Sequence, residues 1–249
     1  MVGPQGWARI GPHGRIRDWA EAALPLARSA LRQSAEPLRC GGTWAVGLDL
    51  LANGADGGIG GVPLPWDLFG LRPEPLHRAQ LSAVYPGYPR PSAEETPAAL
   101  AFRRSRDAAH LDGLLPMGPQ RRRMLREPHG WILGLPLTAC GPGAAPLVVW
   151  EGSQALMGAA LRAALLPHPP ETWSEVDLTG PYAEARREVF ATCRRVEVPA
   201  VPGEAVLLHR MTLHGVAPWA EGAIAPPEGR IIAYFRPLLP SVEVWARLP

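Results

Sequence analysis

Lysine is absent from this chain: all 25 basic residues are arginine, against 23 acidic ones, for a net charge of +2 with histidine neutral. So near a balance excludes the general electrostatic pull expected of a nucleic-acid-binding surface. Cysteine is scarce. Cys40, Cys140 and Cys193 are odd in number, widely separated and without a C-x-x-C pair, which argues against a disulfide framework or a structural zinc site. A reducing compartment fits, so a cytoplasmic location is expected. Long apolar runs are also missing. The uncharged stretch 131–150 is interrupted by Pro136, Gly141, Pro142, Gly143 and Pro146, which suits two buried strands around a turn and not a membrane-spanning helix. Residues 1–17 carry arginines but no apolar segment, so no secretory leader is read there.

What is present is apolar and finely punctuated. Hydrophobic residues make up 47% of the 249, ample for a core, and the 27 glycines and 30 prolines follow no period. Residues 17–35 read as an amphipathic helix whose stripe is Trp19, Ala23, Leu24, Ala27, Ala30 and Leu31, with a kink expected at Pro25. Short strands are expected at 43–50, 78–85, 107–111, 131–139, 147–150, 194–198, 205–209, 230–235 and 242–246, with helices near 153–165 and 182–193. That pattern implies a mainly β jelly-roll sandwich with flanking helices. A single domain over 1–249 is expected, residues 1–40 forming a largely helical N-terminal extension. The glycine-rich segment 53–61 lacks a phosphate-loop pattern and reads as a turn or an active-site lid.

The chemistry concentrates in an H-x-D pair, His110 and Asp112, followed at a distance by His214. Residues i and i+2 of a strand face one side, so His110 and Asp112 can grip one ion together. Two imidazoles and a carboxylate hold non-haem Fe(II) on one face and leave the other open. His209 is the rival to His214. It ends the apolar run 205–208 directly, whereas His214 stands before a Gly-Val-Ala-Pro turn that can aim a ligand. The run Arg121-Arg122-Arg123 reads as a solvated face or as a clamp for an anionic substrate group. Trp131 and Trp150 read as core or pocket wall, and His129 carries no assignment.

Read in order, five segments bear a resemblance. They are Asp107-Ala-Ala-His110-Leu-Asp112-Gly, Gly130 to Leu137, Val149-Trp-Glu-Gly-Ser153, Gly203-Glu through His214-Gly, and Gly229-Arg230-Ile-Ile-Ala-Tyr-Phe-Arg. Together they resemble the phytanoyl-CoA dioxygenase family of Fe(II)/2-oxoglutarate-dependent oxygenases, over residues 80–236 or so. The resemblance implies a double-stranded β-helix, cupin-like in outline, with His110, Asp112 and His214 as iron ligands. It implies Arg230 as partner of the distal carboxylate of 2-oxoglutarate, a role suited to a planar, permanently charged fork of donors. Gln80 and Tyr85, on the preceding strand, are further candidates for co-substrate contacts, and Arg121, Arg122, Arg123 and Trp131 for substrate contacts. The implied reaction hydroxylates a C–H bond of a small molecule using O2, with release of succinate and CO2. A cupin-like metal enzyme that does not use 2-oxoglutarate, and a non-catalytic jelly-roll binding module, are the alternatives. Neither a nucleic acid nor a membrane is expected as partner.

Overall fold

Hydrophobic alternation along short strands, broken by proline and glycine, becomes a set of paired strands in the computed structural model, which describes residues 2–93 and 95–248. Strand β1 (Trp7–Ile10) and helix α1 (Gly14–Gln33) come first, then β2 (Trp44–Leu51), the one-turn helix α2 (Trp66–Phe69), β3 (Ala79–Val84) and helix α3 (Pro97–Arg106). A small hairpin, β4 (Leu114–Met117) and β5 (Arg122–Leu125), precedes β6 (Trp131–Pro136) and β7 (Leu147–Trp150). Helices α4 (Ser153–Leu165) and α5 (Thr179–Thr192) lead to β8 (Arg195–Val198), β9 (Ala205–His209), β10 (His214–Val216), β11 (Arg230–Phe235) and helix α6 (Val242–Arg247).

The strands form a six-stranded sheet in the order β1-β9-β6-β11-β3-β2 and a three-stranded sheet in the order β10-β7-β8. A bridge between His110 and His214 extends the smaller sheet by one more chain segment. From β3 onward the chain crosses repeatedly between the two sheets, the winding of a double-stranded β-helix with helices on its flanks. Strand periodicity divides the apolar residues cleanly. Ile132, Leu147, Val149, Val198, Val206 and Leu208 meet between the sheets. The opposite faces of the same large-sheet strands send Leu133, Leu207, Ile231, Ala233 and Phe235 against Trp19 and Ala23 of α1. Behind the small sheet, Val148 and Trp150 pack with Met157 and Leu161 of α4, Val189 of α5 and Trp245 of α6.

Several sequence expectations are corrected here. The strand expected at 107–111 is reduced to the His110 bridge, because Asp107 and Ala108 both adopt left-handed backbone (φ 54). The strand expected at 242–246 is helix α6, whose first turn is capped by Ser241 Oγ accepting from the Val244 N–H at 3.2 Å. Residues 7–10 pair with β9, so the N-terminal segment contributes a strand to the large sheet besides its helix. The glycine-rich segment 53–61 is no lid. Its Ile59 is buried in the α1-side core, and Trp19 Nε1 donates to the Gly57 carbonyl at 2.9 Å. Among the described residues, no helix is long and apolar enough to cross a membrane.

Candidate metal centre

A tight turn and a bare backbone bring the ligand candidates together. The two left-handed residues Asp107 and Ala108 end α3 and lay the following chain beside β10, where His110 and His214 exchange backbone hydrogen bonds of 2.8 and 3.1 Å. Gly215 permits this approach, since a Cβ there would stand 2.2 Å from the Asp107 carbonyl oxygen. Arg195 of β8 pins the turn from outside, with Nε and Nη2 donating to the two carboxylate oxygens of buried Asp107 at 2.7 and 2.8 Å.

At this junction the side chains of His110, Asp112 and His214 offer ligand atoms that all lie within 4.8 Å of one another. His110 Nε2 is 3.3 Å and His214 Nε2 3.6 Å from Asp112 Oδ1. Each ring's other nitrogen faces a carbonyl two residues back: His110 Nδ1 lies 3.0 Å from the Ala108 oxygen, and His214 Nδ1 lies 2.9 Å from the Thr212 oxygen. A carbonyl can only accept, so both Nδ1 atoms carry a proton, and in the neutral ring each Nε2 turns its lone pair to the side of the carboxylate. Two neutral imidazoles and a carboxylate, each with a free lone pair on one side, fit a divalent first-row metal. The side chains of Asp112 and His214 are 11% and 8% exposed, whereas that of His110 is 44% exposed, so the group opens toward solvent on the His110 side.

The electrostatics favour a charged carboxylate. Burial alone would raise the Asp112 pKa, but the contacts with His110 and His214, the charge His214 carries when protonated and the positive charge of Arg236 hold it well below the usual range. Burial likewise lowers the His214 pKa, and the adjacent Asp112 outweighs it, leaving the imidazole raised. Arg236, just past β11, donates from Nη1 to Asp112 Oδ2 at 2.8 Å, so Oδ1 is the oxygen left to face the histidines. The main chain of Arg236 is itself held by two histidines. Its N–H donates to His77 Nε2 at 2.9 Å, and its carbonyl lies 2.9 Å from His129 Nδ1. That gives the otherwise unassigned His129 a structural place.

A cavity of about 430 Å³ between the sheets adjoins all three residues and is also lined by Trp44, Gln80, Ser82, Tyr234 and Arg236. Gln80 is thus brought to the site, and Tyr85 is not, because it packs on the α1 side of the large sheet. Arg230 faces inward at the far end of β11, buried, with its Nη1 lacking a partner among the described residues. It lines a small cleft that shares Ile132, Leu147, Leu208 and Tyr234 with the larger cavity. Arg123 lines the cavity mouth. Arg121 borders the adjoining outer cleft, and Arg122 turns away to Asp177 at 3.5 Å. Trp131 stands on the opposite face of the sheet, its Nε1 donating to Glu74 at 3.1 Å. His209 points to that same outer side and lines a cavity with Trp131, so His214 is the histidine that joins the group.

Sequence reasoning passed over Arg236, Ser82 and Tyr234. The available signal was parity: 230, 232, 234 and 236 fall on one face of a strand, so an inward Arg230 implies an inward Arg236.

No model of a known protein family matches the sequence, and no curated protein matches it. Similar folds occur among solved structures at low identity. The non-haem α-ketoglutarate-dependent carbocyclase SnoK of nogalamycin biosynthesis is 13% identical, with 99% of this chain and 87% of that one covered, at a TM-score of 0.39. AviO1 from Streptomyces viridochromogenes Tue57 is 16% identical over 95% and 93%, at 0.42. The related non-haem α-ketoglutarate-dependent epimerase SnoN is 17% identical over 52% of this chain, which spans only 41% of that enzyme's length, at 0.28. At such TM-scores these likenesses carry no weight of their own, and the fold rests on the strand order described above.

Proposed function

We propose that the protein is an Fe(II)- and 2-oxoglutarate-dependent dioxygenase that hydroxylates a C–H bond of a small molecule. The observation carrying this reading is the convergence of His110 Nε2, His214 Nε2 and Asp112 Oδ1 at one end of the inter-sheet cavity, with both histidine tautomers set by their own main chain. Iron(II) with 2-oxoglutarate supplies an oxidant strong enough for an unactivated C–H bond, with succinate and CO2 released.

The protein's own residues do the holding and the sorting. His110, Asp112 and His214 would hold the ion, beside the cavity that adjoins all three. Arg236 keeps Asp112 ionised and turned. In this reading Arg230 takes the distal carboxylate of the co-substrate, supported by its buried and unpartnered Nη1, since an orphaned guanidinium donor between two sheets calls for an anion. Gln80 offers an amide to the same ligand from β3, across from Tyr234. The apolar inter-sheet walls Ile132, Leu147 and Leu208 exclude water from the space between.

Anaerobic addition of Fe(II) and 2-oxoglutarate tests this directly. A weak visible charge-transfer band of the chelate is expected, lost in Asp112→Ala and in His214→Ala. Absence of the band in the unaltered protein removes the proposal. Oxygen uptake that proceeds without 2-oxoglutarate would hand the site to a cupin-like metal enzyme instead.

A further inference from the structure

Outside the metal cavity lies a second, larger cleft of about 950 Å³, whose floor includes His110 and which shares Trp44, Val46 and Arg123 with the inner chamber. Its volume is that of a pocket for a drug-sized molecule, and its position over the open histidine makes it the approach to the metal. The lining is strongly uneven in charge. Among the described residues, Arg39, Arg103, Arg121, Arg123 and Arg186 line the cleft together with Glu36 and Glu95. Glu95 is paired with Arg103.

Arg121, Arg123 and Arg186 have no carboxylate partner among the described residues. Arg123 Nη1 donates to the Leu114 carbonyl at 3.1 Å, leaving the remainder of its guanidinium at the cavity mouth. Arg186 is held over the rings of Phe102 and Tyr182, at 4.9 and 5.1 Å, which fixes its plane without using its hydrogen-bond donors. Trp44 and Val46 give the same cleft apolar surface, with Arg103 lying 5.4 Å over the Trp44 ring. A register shift between Ala45 and Leu48 marks a bulge in β2, and it presents Val46, 37% exposed, beside Trp44.

Resting on the oxygenase reading above, we propose that this cleft takes an anionic small-molecule substrate, its carboxylate or phosphate held by Arg121, Arg123 and Arg186 and its apolar body laid along Trp44 and Val46. His110 lines the same cleft, and Arg123 lines both it and the inner chamber. A substrate tethered at these arginines is thereby held in the cleft that His110 lines.

The test uses phenylbutyrate, phenylbutyl phosphate and the neutral phenylbutanol as probes on protein loaded anaerobically with Fe(II) and 2-oxoglutarate, so that the co-substrate site is filled. Calorimetry is expected to show either anion binding at least tenfold tighter than the alcohol. The margin should shrink at least fivefold in Arg121→Ala/Arg123→Ala and in Arg186→Ala, and also in high salt. A tighter phosphate or a tighter carboxylate identifies which anion the arginines suit. Equal binding of the alcohol, or a margin that survives in both variants, overturns the proposal. The exposed single variant Arg121→Gln, checked for an unchanged melting temperature, guards against misfolding as the cause. The same titrations in His214→Ala separate the two readings. A margin kept there, with no chelate band in the unaltered protein, sinks the oxygenase and spares the anion cleft; a band without a margin does the reverse.

Discussion

Asp112 has two oxygens and three neighbours competing for them, and Arg236 decides the division. By holding Oδ2 at 2.8 Å it leaves Oδ1 for the ion. Replacing it with methionine keeps the bulk and removes the charge, so metal affinity is expected to fall about 10- to 100-fold, the usual effect of losing a ligand's hydrogen-bond partner. Arg236→Lys should recover part of it, as a cation without the planar fork. A Co(II) titration reads both. At the other end of β11, Arg230→Ala is expected to weaken 2-oxoglutarate binding by about 2–3 kcal/mol while leaving metal affinity unchanged. If the metal were lost and the co-substrate kept, the two arginines would have exchanged roles.

At the scale of elements, the site depends on how the chain around Asp107 lies against β10. Gly215→Ala would push a methyl group to within 2.2 Å of the Asp107 carbonyl, so the bridge between His110 and His214 must open. A loss of about 1–3 kcal/mol in urea unfolding, together with weaker metal binding, is expected. Arg195→Ala removes both donors from the buried Asp107 carboxylate and should cost a similar amount, moderated by the solvent exposure of Arg195. Much of this architecture was legible in the sequence. Strands β3, β6, β7, β8, β9 and β11 follow from short apolar stretches punctuated by proline and glycine, because most of these strands are buried on both faces. The grouping of His110, Asp112 and His214 was legible from residue type and spacing. What escaped was set by tertiary context. The segment 107–111 has strand composition, yet consecutive left-handed residues make it a turn with one bridge. The apolar 242–246 could serve a strand or a helix, and the Ser241 cap and the α4 surface select the helix. Helix α3 buries no residue fully, so it offers no apolar stripe to read.

For the whole molecule, three apolar layers stack outward from the inter-sheet space, and the site sits at the end of the middle one. Damage to an outer layer should therefore lower stability before it alters chemistry. Leu161→Ala, in the fully buried layer beneath α4, is expected to cost about 2–5 kcal/mol by denaturant titration with unchanged metal affinity per folded molecule. The fixed tautomers of His110 and His214 carry a broader consequence. Their rings are already tied to Ala108 and Thr212, and the carboxylate is already turned by Arg236, so an arriving ion finds a finished socket. Uptake should then leave the circular dichroism spectrum as it was and raise the melting temperature only as mass action requires, unlike small domains that fold around their zinc.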